Sequence, residues 1–131
     1  MVDSKKQGKR PRSGRFAYEG LDRVLHEKAR LGILTSLLTR QEGLRFRELK
    51  ELCSLTDGNL SRHLQVLEEA GLIEIWKGYK KKRPQTLCRL TVEGRERFKS
   101  YISELQKVIQ DARAAETAAR TDAAPRGWAP A

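Results

Sequence analysis

The sequence predicts a mainly α domain with one small β-hairpin. Three observations predict it. Apolar residues recur at three- and four-residue steps in four stretches of the chain, the period of helices buried along one face. Two runs that alternate with period two flank a basic loop, the pattern of a hairpin. A length of 131 residues with 38% hydrophobic composition suits one core with tails.

Residues 1–17 read as a basic arm, disordered when free. Lys5, Lys6, Lys9, Arg10, Arg12 and Arg15 stand against Asp3 alone, among Gly, Ser and Pro with almost nothing to bury. The folded domain is expected over 18–112. Across 20–38, Leu21, Val24, Leu25, Ala29, Ile33, Leu34, Leu37 and Leu38 keep helical spacing, but the phase blurs at 26–30, which predicts two helices or a bend. Gln41, Glu42 and Gly43 break the pattern, and Leu44 with Phe46 forms a short strand or a core anchor. Phe46, Leu49, Leu52 and Cys53 then mark a short second helix. SLTDGN interrupts it, and Thr56 supplies the hydroxyl that caps a following helix. That helix extends to about Ala70, with Leu60, Leu64 and Leu67 on one side and Gly58, Asn59, Ser61, Arg62 and Gln65 pointing elsewhere; Gly71 stops it.

In LIEIWKGY, Ile73 and Ile75 alternate with Glu74 and Trp76; in TLCRLT, Cys88 and Leu90 alternate with Leu87 and Arg89. KKKRPQ between them is the expected loop, Pro84 marking a turn-back or an edge. Thr91 caps a long helix striped by Phe98, Tyr101, Ile102, Leu105, Val108 and Ile109. That stripe exceeds what so small a domain needs to cover, and it predicts a homodimer interface. Residues 113–131 turn Ala-rich and then Pro/Gly-broken, a fraying helix end and flexible tail in which Trp128 has no evident role.

The formal charge of +10, from 27 Lys+Arg against 17 Asp+Glu, favours anionic partners through long-range attraction and counterion release. A merely solvated surface could carry the same total, so placement decides. Helix, turn, helix, two-stranded hairpin, helix has a mechanical reading as a winged helix-turn-helix: the second helix of the pair enters the DNA major groove and the hairpin reaches neighbouring phosphates or the minor groove. Lys77, Lys80, Lys81, Lys82 and Arg83 lie on that hairpin with no acid among them. Double-stranded DNA is therefore the expected partner.

The stretch FRELKELCSLTDGNLSRHLQVLEEAGLIEI, the basic hairpin and LTVEGRERF resemble winged helix-turn-helix regulators related to the MarR and ArsR families. GNLSRHLQVLEEAGLI and LTVEGR carry most of the likeness, and HEKARLGILTSLL is similar to the HxxxRLxIL pattern of their early helix; together the resemblance covers about 18–110. It implies a homodimer on a pseudo-palindromic operator, with Thr56 opening the recognition helix and Asn59, Ser61 and Arg62 facing DNA. Asn and Arg suit bidentate contacts to base edges, whereas hydroxyls and helix N-terminal amides suit phosphate. The metal-sensing relatives carry a CxC pair where this chain has Cys53 followed by Leu55, so metal sensing is not expected.

No Ser/His/acid set, phosphate-binding glycine loop or paired metal ligands is legible, which reads as a non-enzyme without metal or cofactor. Cys53 and Cys88 lie outside any CxxC pair and read as small core residues. His63 is expected to pack at a helix edge, and His26 to cap a helix or pair with Glu27. No window approaches the roughly 20 apolar residues of a membrane span, so a cytoplasmic protein is expected. Two other readings compete: a protein-interaction module on a winged-helix scaffold, which the basic hairpin disfavours, and a nonspecific nucleoid-like DNA binder, which preference for one site over random duplex would exclude.

Overall fold

The structure, a computed structural model, describes residues 14–118 and 123–131. Its elements are α1 (Lys28–Leu38), β1 (Leu44–Arg45), α2 (Phe46–Cys53), α3 (Asp57–Glu69), β2 (Ile73–Lys80), β3 (Arg83–Leu90) and α4 (Val92–Glu116). The strands form one antiparallel sheet in the order β1-β3-β2, with Leu44 opposite Cys88 and the hairpin paired from Ile73–Leu90 out to Lys80–Arg83. This is the mainly α domain with a small hairpin that the two periodicities predict. The basic arm expected at 1–17 lies outside the described residues up to position 13.

The core gathers Ile33, Leu34 and Leu37 of α1, Leu44, Leu49 of α2, Leu60, Leu64 and Leu67 of α3, Leu72, Ile73, Cys88 and Leu90 of the sheet, and Phe98 and Tyr101 of α4. Each fully buried Leu or Ile is stabilised by about 1.5–3 kcal/mol relative to exposure. Leu52 departs from its expected stripe: it is 62% exposed, and α2 packs through Leu49 with Phe46 and Cys53 half-buried.

The segment ahead of α1 departs further. Residues 18–27 fold as successive turns, with the Leu21 amide donating to the Tyr18 carbonyl and the Leu25 amide to that of Asp22. The helix begins only where Glu27, extended at φ −154°, accepts from the Arg30 amide through its side chain (2.9 Å) and caps α1. What holds the turns is α4. The Arg97 guanidinium donates to Asp22 (2.6 Å), Glu104 accepts from the Gly20 amide (3.2 Å), and the Tyr18 hydroxyl donates to Asp111 (2.7 Å). Arg97, Glu104 and Asp111 recur every seven residues and so share one helix face. Leu25 is fully buried and Leu21 and Val24 pack on the core. Helical spacing in this stretch reported burial; tertiary bonds decided the backbone.

The hairpin is longer and its loop shorter than expected. Lys80 and Arg83 are already paired, and the chain reverses through Lys81 and Lys82, both at positive φ (51° and 65°). Such a two-residue turn matches the twist of its strands and ordinarily uses Asn and Gly, whose absence here hid it. Pro84 sits opposite Tyr79 on the part of β3 that β1 does not cover, where a missing N–H leaves no ladder bond unmade.

The start of α4 is locked to the end of α3. Gly71, at φ +78°, closes α3, and the Thr91 hydroxyl donates to its carbonyl (2.8 Å) while accepting from the Gly94 amide (2.8 Å). A side chain at position 94 would collide with the Leu72 carbonyl, so only glycine fits there. Beyond it α4 continues to Glu116, past the expected tail boundary at 113. In 123–131 no regular element forms; the Trp128 amide donates to the Pro125 carbonyl (3.0 Å), and the indole stays exposed.

Candidate nucleic-acid interface

Leu60, Leu64 and Leu67 anchor one side of α3 in the core, so its opposite side is held outward. Thr56 caps the helix by accepting from the Asn59 amide (3.2 Å), and Lys50 pairs with Asp57 (2.9 Å), tying the end of α2 to the first turn. Asn59, Ser61, Arg62 and Gln65 are exposed, as the helical projection predicts, and so is Thr56 at the cap. The Arg62 guanidinium donates to the Asn59 side chain (3.1 Å) and Gln65 donates to Glu69 (3.2 Å), so these polar groups are oriented along the helix before any partner arrives.

Beside α3 projects the hairpin. Lys77, Lys80, Lys81, Lys82 and Arg83 are exposed, and Lys77 donates to the Thr86 hydroxyl (3.4 Å) across the strands. A groove of about 390 Å³ joins the two elements: Ser61, Gln65 and the acidic Glu68 of α3 line it with Lys77 and Thr86 of the hairpin, and Phe46, Leu64 and Ile75 are its apolar part. The expected recognition residues and part of the expected wing thus line a common surface.

Two arginines were missed. Arg45 and Arg47 line a second cleft, of about 400 Å³, with Arg83, Gln85 and Thr86 on its far wall. The signal was present in RFR, where Phe46 turns toward the core and its two neighbours outward, but only the apolar residue entered the pattern. Two exposed aromatics of β2 were likewise unassigned. Tyr79 shares the strand face of Lys77, and Trp76, on the other face, donates to Glu74 (2.8 Å) beneath the Arg89 guanidinium 5.2 Å from its ring.

His63 is 6% exposed and packs inside the helix edge. Burial holds its imidazole below the usual histidine range; the Arg62 and Arg30 charges push the same way and Glu27 opposes them. His26 neither caps nor pairs with Glu27: its Nδ1 shares a 2.6 Å hydrogen bond with the Tyr101 hydroxyl, because Glu27 is already engaged as the cap of α1. Burial pushes the Cys88 thiol up to about 11, which leaves it protonated and inert; Cys53 lies half-buried beside Ser36. Among the described residues no group of His, Cys, Asp or Glu could hold a metal ion.

Of the residues expected at a dimer interface, Phe98 and Tyr101 belong instead to the protomer's own core. They close over the turns of 18–27, which occupy part of the stripe that looked surplus. Leu105 and Val108 are half-buried, and Ile102 and Ile109 remain exposed, seven residues apart on one face.

Residues 29–109 match the family model described as a winged helix DNA-binding domain. The chain belongs to the winged helix DNA-binding domain family. The uncharacterised protein MJ0432 of Methanocaldococcus jannaschii is 42% identical over 89 residues, spanning 68% of this chain and 96% of that protein. Among solved structures, the transcriptional regulator homologue from Pyrococcus horikoshii OT3 is 36% identical with a TM-score of 0.64, covering 68% of this chain and 87% of that one. The S. aureus MepR–DNA complex shares the fold at 18% identity, with a TM-score of 0.61 over 87% of each chain. MarR-family regulators such as MepR are thus structural neighbours, in keeping with the resemblance carried by GNLSRHLQVLEEAGLI and LTVEGR. In this winged-helix chain α3 occupies the place of the recognition helix and the β2–β3 hairpin that of the wing. The family is one of DNA-binding domains, not enzymes. No helix among the described residues is long and apolar enough to cross a membrane.

Proposed function

We propose that this winged-helix chain is a transcriptional regulator that binds a pseudo-palindromic operator as a homodimer and represses by occluding a promoter. One observation carries the reading: the groove in which Ser61 and Gln65 of α3 face Lys77 of the wing, base-reading and phosphate-binding chemistry on one surface. Asn59 and Arg62 read base edges in the major groove, Thr56 and the first amides of α3 hold phosphate, and Lys77, Lys80, Lys81, Lys82 and Arg83 supply charge beside them. Arg45 and Arg47 add phosphate contacts on the far side of the wing. Ile102 and Ile109, with Leu105 and Val108 beside them, form the dimer contact and place two recognition helices about 34 Å apart, one turn of B-DNA. Selecting bound fragments from random-sequence duplex tests the proposal. The expected result is an inverted-repeat site bound about a thousandfold or more tighter than bulk duplex at physiological salt; uniform binding would leave a nonspecific coater, and no binding a protein-docking module.

A further inference from the structure

Among the described residues His63 is the one polar or charged residue that is buried. It sits in the middle of α3, in the helical turn that carries Asn59 and Arg62, where a hydrocarbon would pack at no polar cost. Its Nδ1 lies 3.3 Å from Nη1 of Arg30. A guanidinium has donors only, so Nδ1 must be the acceptor and the ring proton resides on Nε2. The same guanidinium donates through Nε to the Val24 carbonyl (2.6 Å). Arg30 therefore bridges the recognition helix to the turns of 18–27, which are fastened to α4 by Arg97–Asp22 (2.6 Å) and by His26–Tyr101 (2.6 Å).

We propose that His63 is a positioning residue, its neutral imidazole fixing the recognition helix through Arg30, and that protonating it loosens the reading of sequence while leaving phosphate attraction in place. The inference rests on the operator-binding function proposed above. The charged groups facing His63 are Glu27 and Arg30 at the start of α1 and Arg62 on α3 itself. A proton on Nδ1 abolishes the acceptor and sets a second cation against Arg30 at 3.3 Å. Glu27 attracts an imidazolium more strongly than either arginine repels it, but its Oε1 is 3.9 Å away, beyond hydrogen-bond distance, and already accepts the Arg30 amide as the cap of α1. An imidazolium here must shift outward or draw Glu27 from the cap, and either motion moves the turn that bears Asn59 and Arg62. The wing lysines lie on another element and stay as they were. Burial favours the neutral ring in the resting protein.

The test uses the full chain in two measurements. Nitrogen-15 shifts of the histidine rings at neutral pH should show His63 with Nδ1 bare and Nε2 protonated; a proton on Nδ1 overturns the proposal whatever the DNA result. Affinities for the selected operator and for random duplex are then followed from neutral pH down to about pH 5, below the ordinary histidine value because burial lowers that of His63. Wild-type preference for the operator should fall about tenfold, the cost of misplacing one base contact, with random-duplex affinity changing less. In His63→Asn the amide oxygen replaces the Nδ1 acceptor and does not titrate, so the preference should stay flat with pH while His26 remains in place. A pH response as large in His63→Asn as in wild type overturns the proposal. Absence of any operator preference in wild type at neutral pH would instead remove the operator-binding function, and the ring shifts would still decide the Arg30 bond.

Discussion

The double substitution Lys81→Asn/Lys82→Gly should make the protein more stable and its grip on DNA weaker. Both lysines hold positive φ, 51° and 65°, in a two-residue turn. A side chain bearing a Cβ in that region costs roughly 1–2 kcal/mol, which Gly avoids and Asn reduces. Against this, Gly gains about 0.5–1 kcal/mol of freedom in the unfolded chain. The net gain for the pair is about 1–2 kcal/mol, each kcal/mol raising Tm by about 4–8 °C in a domain of this size. Little opposes the gain, because both side chains are exposed and neither forms an ion pair among the described residues. The same change removes two cations from the wing tip. If each meets one phosphate, the log–log salt dependence of binding should flatten by up to about 1.8, at about 0.9 per contact, on operator and random duplex alike. Thermal melting and a salt titration on both duplexes give the two numbers. An unchanged or lower Tm would refute the strain attributed to the turn. An unchanged slope would show the lysines merely solvated, and the protein-docking reading would then gain over the regulator.

Arg62→Ala should weaken operator binding by about 1–3 kcal/mol, with random duplex much less affected, and Asn59→Ala should do likewise; equal losses on both duplexes would assign these side chains to phosphate. Ile102→Glu/Ile109→Glu should convert a dimer to a monomer in sedimentation while the protomer still unfolds cooperatively, because both side chains are exposed in the protomer; retained dimer mass would move the interface elsewhere. Gly94→Ala should destabilise by about 2 kcal/mol or more, since its methyl meets the Leu72 carbonyl and backbone cannot rotate away; a wild-type denaturant midpoint would contradict that contact. Acid should destabilise through Asp22: burial raises its carboxyl, but the Arg97 guanidinium and Val24 amide outweigh burial and hold it below the carboxylate range. That stability is present above the unfolded value and lost as pH falls through the native one, so Arg97→Met should flatten the acid limb of a stability–pH curve.

Elements whose sequence signals agreed with their tertiary demands were legible. In α3 the Thr56 cap, the leucine stripe and the Gly71 stop all name one helix, and the outward residues follow from geometry alone. The VEGR part of α4 was legible as a motif, but its reason, a glycine against the Leu72 backbone, required the fold. Where two interactions compete, local pattern was insufficient. The helical spacing of 20–27 lost to bonds with Arg97, Glu104 and Asp111, residues 75 and more positions away. Apolar spacing cannot say whether a stripe faces its own domain or another, so Phe98 and Tyr101 read like Ile102 and Ile109. The wing turn escaped because its lysines occupy a backbone region that they seldom adopt.

That last case also bears on how the two halves of the surface divide their work. The recognition helix is set by buried groups: three leucines behind it, and His63 held by Arg30. Small displacements of such a helix matter, because a bidentate base contact needs both partners within hydrogen-bond distance. The wing is set only by its strand register, and its charges act through a field that falls off over about 8–10 Å at ordinary salt and tolerates side-chain motion. A strained turn is acceptable there if it presents two cations at the tip, since the cost is borne by stability and not by geometry. The proposed function therefore assigns specificity and affinity to separate elements of one fold: changes to the support of α3 should alter which sequence is bound, and changes to the wing how tightly any sequence is held.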